Sequence, residues 1–114
     1  MKAEVQGVYL GSNDYPEPPL FALKVTPLQR LATIQPPNSE TPYHISVAFF
    51  DPAERRSFTA LEQKYSEPRE VTLKGRIRGM AFYLDATDPI ASDPLIQSVH
   101  GKGHYAHKPL HVSL

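Results

Sequence analysis

Two histidines carry the clearest chemical signal in this chain. His44 and His111 each stand two residues before a serine, Ser46 and Ser113. Their surroundings repeat as well. Pro42-Tyr43-His44-Ile45-Ser46-Val47 and Pro109-Leu110-His111-Val112-Ser113-Leu114 both read proline, apolar, histidine, apolar, serine, apolar. Along a strand, side chains alternate between faces with a period of two. His44 and Ser46 therefore share one face, and Tyr43, Ile45 and Val47 the other. His111 and Ser113 share a face in the same way, backed by Leu110, Val112 and Leu114. Each strand anchors through its apolar side and presents an imidazole beside a hydroxyl.

Two imidazoles and two hydroxyls around one site suit phosphodiester chemistry. Imidazole has an unperturbed pKa of about 6.5, so near neutrality one ring is neutral while the other carries a proton. The neutral ring takes a proton from water or a ribose hydroxyl, and the protonated ring gives one to the leaving oxygen. The serine hydroxyls donate to the non-bridging phosphate oxygens, where charge accumulates. Such a reaction needs neither a metal nor a cofactor. A carboxylate just after Ser113 would favour the protonated form of His111. On that reasoning His111 is the acid and His44 the base in opening a cyclic phosphate. Lys102, Lys108 or Arg78 is the cation expected to offset the carboxylate.

Other residues offer weaker signals. His100, His104, His107 and His111 crowd the C-terminal quarter, but Gly101 and Gly103 interrupt any helix that would align them as metal ligands. They read as loop histidines. Lys74, Arg76 and Arg78 alternate along one run and so share a face, either solvated or lining the mouth of a phosphate site. Of the aromatic candidates Tyr43, Phe50, Tyr83 and Tyr105, Tyr43 and Tyr83 are expected to pack, and Tyr105 is the first choice for stacking a base, because it sits in a polar stretch before the second motif. Phe50 is the second, being on the nominal face of His44 and Ser46.

The elements that must position these residues follow from local pattern. Strands are expected over Glu4–Leu10, Leu20–Val25, Tyr43–Phe50, Glu70–Arg78, Met80–Leu84 and Pro109–Leu114. Leu31–Ile34 fits a strand or one helical turn. Asp51-Pro52-Ala53-Glu54 starts a helix, with Asp as N-cap and Pro at the first position. Phe58, Leu61 and Tyr65 continue that helix at helical spacing, and Ser66-Glu67-Pro68 ends it. Asp93-Pro94 starts a second helix, which Gly101 caps. Gly79 marks a turn or bulge. From Tyr43 onward the order is strand, helix, strand, strand, helix, strand, an α+β pattern with mostly antiparallel pairing.

Composition sets outer bounds. A chain of 114 residues makes one domain, with a strand- and proline-rich part over 1–42 and a core over 43–114. Twelve basic residues balance twelve acidic ones, which disfavours a long duplex and favours a small or short anionic ligand. The absence of cysteine excludes disulfides, a thiol nucleophile and any cysteine-bearing zinc site. No apolar run is long enough to span a bilayer, and no apolar signal segment follows Met1. A soluble, intracellular, cytoplasmic protein without a membrane partner is expected, as monomer or dimer.

The paired motifs and the elements between them resemble the two-histidine (2H) phosphoesterase superfamily. Its members include RNA 2′,3′-cyclic phosphodiesterases, 2′-5′ RNA ligase-like proteins and phage enzymes that cleave cyclic oligonucleotide signals. The resemblance covers about Tyr43 to Leu114 and covers the first 40 residues poorly. It implies a compact single domain with two main helices and a pseudo-symmetric pair of lobes, each supplying one motif to a central cleft. It implies His44 and His111 as the catalytic pair and Ser46 and Ser113 as phosphate ligands. Family members continue past the second motif, so the strands between Glu4 and Ile34 are expected to complete the second lobe. The implied activity is a metal-independent phosphodiesterase acting on a cyclic phosphate or a short RNA. A hydrolase of cyclic oligonucleotide signals is the alternative within the family. Outside it stand a non-catalytic nucleotide- or RNA-binding domain and a metal-dependent hydrolase using the C-terminal histidines.

Overall fold

The computed structural model describes residues 1–11, 18–28, 43–101 and 109–113. Seven strands and two helices appear among them. The strands are β1 (Lys2–Leu10), β2 (Leu20–Pro27), β3 (His44–Phe49), β4 (Arg69–Thr72), β5 (Gly75–Arg78), β6 (Ala81–Leu84) and β7 (His111–Ser113). The helices are α1 (Arg55–Lys64) and α2 (Pro94–His100). All strands join one antiparallel sheet in the order β4-β1-β2-β3-β7-β6-β5.

Both helix starts follow the Asp-Pro rule. Asp51 accepts a hydrogen bond from the Ala53 amide and opens a 3-10 turn over Pro52–Glu54, which leads into α1. Asp93 accepts from the Leu95 amide, Pro94 takes the first position of α2, and Gly101 forms its C-cap. Proline fits there because its missing N–H would be unpaired in any case.

The run from Glu70 to Arg78 is not one strand. β4 pairs with β1 at one edge of the sheet, and β5 pairs with β6 at the other. Only Leu73 and Lys74 separate them, so Thr72 and Gly75 lie at most about 11 Å apart. In a flat sheet, six strand spacings would part those edges by roughly 29 Å. The sheet must therefore curl until its edges approach. Contacts at the crossing hold that curl. The Met1 amino group donates to the Leu73 carbonyl, and the Leu73 amide donates to the Met1 carbonyl. The fully buried Asp88 carboxylate accepts from the amides of Lys74 and Ile90. Gly75 makes the β6 contact possible, since a Cβ there would run into the Tyr83 carbonyl.

One face of the sheet carries the core. Ala3, Val5, Phe21, Leu23, Val25, Ile45, Val47, Phe82, Leu84 and Val112 are buried there with Phe58 and Leu61 of α1, Tyr65 at its C-cap, and Ile96 and Val99 of α2. The helices are joined by a polar clasp. Asp93 accepts from Lys64 Nζ at 2.7 Å and from the Tyr65 hydroxyl at 2.6 Å. Burial pushes the Asp93 carboxyl up, but the bonds from Lys64, Tyr65 and the Leu95 amide outweigh it and hold the group below its ordinary value. The Tyr65 hydroxyl is pushed up, first by burial and then by Asp93. Among the described residues no helix is long and apolar enough to cross a membrane.

The N-terminal strands do not complete the second motif's side. β1 and β2 lie beyond β3, on the side away from β7. The long β1–β2 hairpin register, from Ala3 opposite Pro27 to Leu10 opposite Leu20, commits both strands to one another, and β2 then docks on β3. The stretch Leu31–Ile34 lies outside the described residues.

Candidate functional site

The two motif strands are direct neighbours. Ile45 of β3 stands opposite Val112 of β7 in antiparallel register, and both are buried. Carrying that register one residue to either side sets His44 against Ser113 and Ser46 against His111. Residues opposite one another across a ladder share a face, so all four side chains occupy the face away from the core. They form a square with the histidines on one diagonal and the serines on the other. Diagonal neighbours across an antiparallel pair lie about 7–8 Å apart. His44, Ser46 and His111 are partly buried, and Ser113 is exposed.

Each neighbour in the square has a local cause. Ile45 and Val47 are fully buried and Tyr43 nearly so, which leaves His44 and Ser46 no choice of face. Leu110 and Val112 do the same for His111 and Ser113. The His111 ring is then fixed by two contacts. Its Nδ1 lies 3.0 Å from the Pro109 carbonyl. A carbonyl only accepts, so Nδ1 carries the hydrogen, and Nε2 is the nitrogen left to gain or lose a proton. Tyr83 packs against the same ring at 5.4 Å between centroids, tilted by 35°.

Further residues share this face through the ladders. Lys24 stands opposite His44, and Ala22 opposite Ser46. On the other side Tyr83 stands opposite His111 and Ala81 opposite Ser113. Arg76 and Arg78 follow, opposite Tyr83 and Ala81. Of Lys74, Arg76 and Arg78, expected to share a face along one strand, Arg76 and Arg78 lie on the face of the motifs, while Lys74 falls in the crossing between β4 and β5. Tyr83 is one of the aromatic residues that sequence reasoning weighs for base stacking and then assigns to packing. Its signal, an aromatic in an apolar strand, is that of any core residue, and only pairing with His111 distinguishes it.

Phe50 does not share this face. Phe21 pairs with Ala48 but Ala22 pairs with Ser46, so Val47 is an extra residue in β3. Such a bulge breaks the period of two. Phe50 turns to the core side, where its ring lies 5.1 Å from Phe58 and 6.3 Å from Tyr9. The other stacking candidate, Tyr105, lies outside the described residues, as do Lys102, Lys108 and Leu114.

His100 belongs to the core and not to a loop. It ends α2, is 6% exposed, and its Nδ1 donates to the carbonyl of the bulged Val47 at 2.9 Å. His104 and His107 lie outside the described residues. Among the described residues no group of three or more His, Asp or Glu side chains is placed to hold a metal ion. A depression at the start of α1, lined by Pro52, Glu54, Arg55 and Arg56 among others, contains none of the motif residues.

Compared with protein-family models, with curated proteins and with solved structures, the chain gives no match.

Proposed function

We propose that the square of His44, Ser46, His111 and Ser113 is the site of a metal-independent phosphodiesterase acting on a cyclic phosphate or a short RNA phosphodiester. One observation carries the reading. The antiparallel register at Ile45 and Val112 crosses the two motifs, so that like residues stand on diagonals. A diagonal of about 7–8 Å leaves room for one phosphate between two imidazoles. The second diagonal directs two hydroxyls at its non-bridging oxygens.

The proposed reaction follows from those positions. A neutral imidazole withdraws a proton from water as the water oxygen bonds to phosphorus. The bond from phosphorus to the ribose oxygen breaks, and the opposite imidazole delivers its proton there. A phosphomonoester results. His111 is suited to either role, because its Nδ1–H is engaged and Nε2 remains for the exchange. Ser46 and Ser113 stabilise the charge on the phosphoryl oxygens. The two sides of the square, β4-β1-β2-β3 and β7-β6-β5, would correspond to the two lobes that the 2H resemblance implies.

The experiment is turnover of 2′,3′-cyclic nucleotides, a 2′-5′-linked dinucleotide and cyclic oligonucleotides with chelator present. Loss of turnover in both His44→Ala and His111→Ala is the expected result. Binding without turnover would replace the reading with a nucleotide-binding domain. Activity abolished by chelator alone would overturn the mechanism.

A further inference from the structure

We propose that the substrate is a single-stranded oligonucleotide whose next phosphates lie on Arg76 and Arg78, so that the bound chain runs across the strands from β3 to β5. The inference rests on the catalytic reading above and adds the minimal size and direction of the substrate. Two rows cross the sheet on the motif face. Ser46, His111, Tyr83 and Arg76 form one, and His44, Ser113, Ala81 and Arg78 form the other. Both rows end in an exposed arginine. Neither arginine makes an ion pair among the described residues, where Lys64–Asp93 is the pair present.

Spacing separates these arginines from the reacting phosphate. β5 is two strand spacings from β7, roughly 10 Å. A phosphate held between His44 and His111 is too far for both guanidiniums to share, whereas a neighbouring nucleotide covers that span. Arg76 and Arg78 are themselves about 7 Å apart along their strand, which suits successive backbone charges better than one phosphate. Charge agrees with this direction: on the β1–β2 side of the face Lys2 and Lys24 are offset by Glu4 and Glu70, whereas β5 carries two arginines and no carboxylate. The balanced charge of the whole protein, twelve basic against twelve acidic residues, argues against a long duplex.

The test compares a trinucleotide ending in a 2′,3′-cyclic phosphate with a mononucleoside 2′,3′-cyclic phosphate. In Arg76→Ala/Arg78→Ala the ratio of their kcat/KM values should fall roughly tenfold or more. Binding of the trinucleotide is measured in parallel on the His44→Ala chain across a salt series. Adding the arginine substitutions to that chain should reduce the log–log salt slope by about 0.7 for each phosphate that is no longer neutralised. The Arg76→Lys/Arg78→Lys variant should keep most of the slope, since it keeps the charge. An unchanged ratio with an unchanged slope overturns the proposal. If turnover survives in His44→Ala and His111→Ala, the catalytic reading falls, and the salt slope still decides the role of the arginines.

Discussion

His100 and His111 each give the Nδ1 hydrogen to a backbone carbonyl, that of Val47 at 2.9 Å and that of Pro109 at 3.0 Å. Their surroundings differ. His100 is buried on the core side, where it joins α2 to the bulge of β3. His111 is partly buried on the opposite face, beside Tyr83 and diagonal to His44. The same bond orients both rings. What separates them is burial: His100 is 6% exposed within the core, whereas His111 is partly buried on the outer face, where the proposed function needs it. A spacing rule that treats all histidines of the C-terminal quarter alike does not see this.

The strongest challenge to the comparison is removal of the proposed catalytic pair. His111→Ala and His44→Ala should each lower turnover by about 10²–10⁴-fold, with thermal unfolding close to the parent's. A melting point that drops as far as that of a core variant would place His111 with His100. The serines come next. Ser46→Ala or Ser113→Ala should lower kcat by roughly 10²-fold, with the larger change in kcat than in KM, measured on a 2′,3′-cyclic nucleotide.

His100 gives the converse result. His100→Leu leaves the Val47 carbonyl without that donor, at a cost of roughly 1–3 kcal/mol in a denaturant titration. Its kcat at a temperature where it remains folded should stay near that of the parent. A kcat loss as large as that of His111→Ala would erase the distinction.

The clasp beneath α2 predicts a pH dependence of stability, separate from that of turnover. The folded Asp93 carboxyl titrates below its ordinary value of 3.8. Its stabilisation is present above 3.8 and disappears as pH falls through the lower folded value. Asp93→Asn should be less stable than the parent at neutral pH and should flatten the acid limb, read as the melting point between neutrality and pH ~2. The smallest effect is expected from Tyr83→Leu, which removes one ring contact worth about 0.5–1.5 kcal/mol. It should change turnover several-fold at most, measured on the same 2′,3′-cyclic nucleotide. Unchanged turnover would leave Tyr83 as packing alone.

Much of this architecture is legible locally. Alternation along Tyr43–Val47 and Leu110–Val112 assigns the buried and outer faces of both motifs, because burying Ile45, Val47, Leu110 and Val112 leaves the intervening residues one direction to point. The two Asp-Pro starts also act as local rules predict, since capping involves only the first turn of a helix. Alternation puts Phe50 on the wrong face because one extra residue in β3, visible only against β2, reverses everything after it. Glu70–Arg78 reads as one strand because its alternation is continuous. Its two halves serve opposite edges, and which edge a strand joins depends on partners distant in the chain.

The sequence by itself determined the repeated His-x-Ser pattern and the side of their own strands that His44, Ser46, His111 and Ser113 take. Those properties depend on side-chain type and on a period of two. The tertiary structure alone decided that β3 and β7 are neighbours, that Ile45 meets Val112, and that Tyr83, Arg76 and Arg78 join the same face. Those are matters of pairing and register. They arise from the burial of one shared core by strands at opposite ends of the chain, which no local pattern encodes.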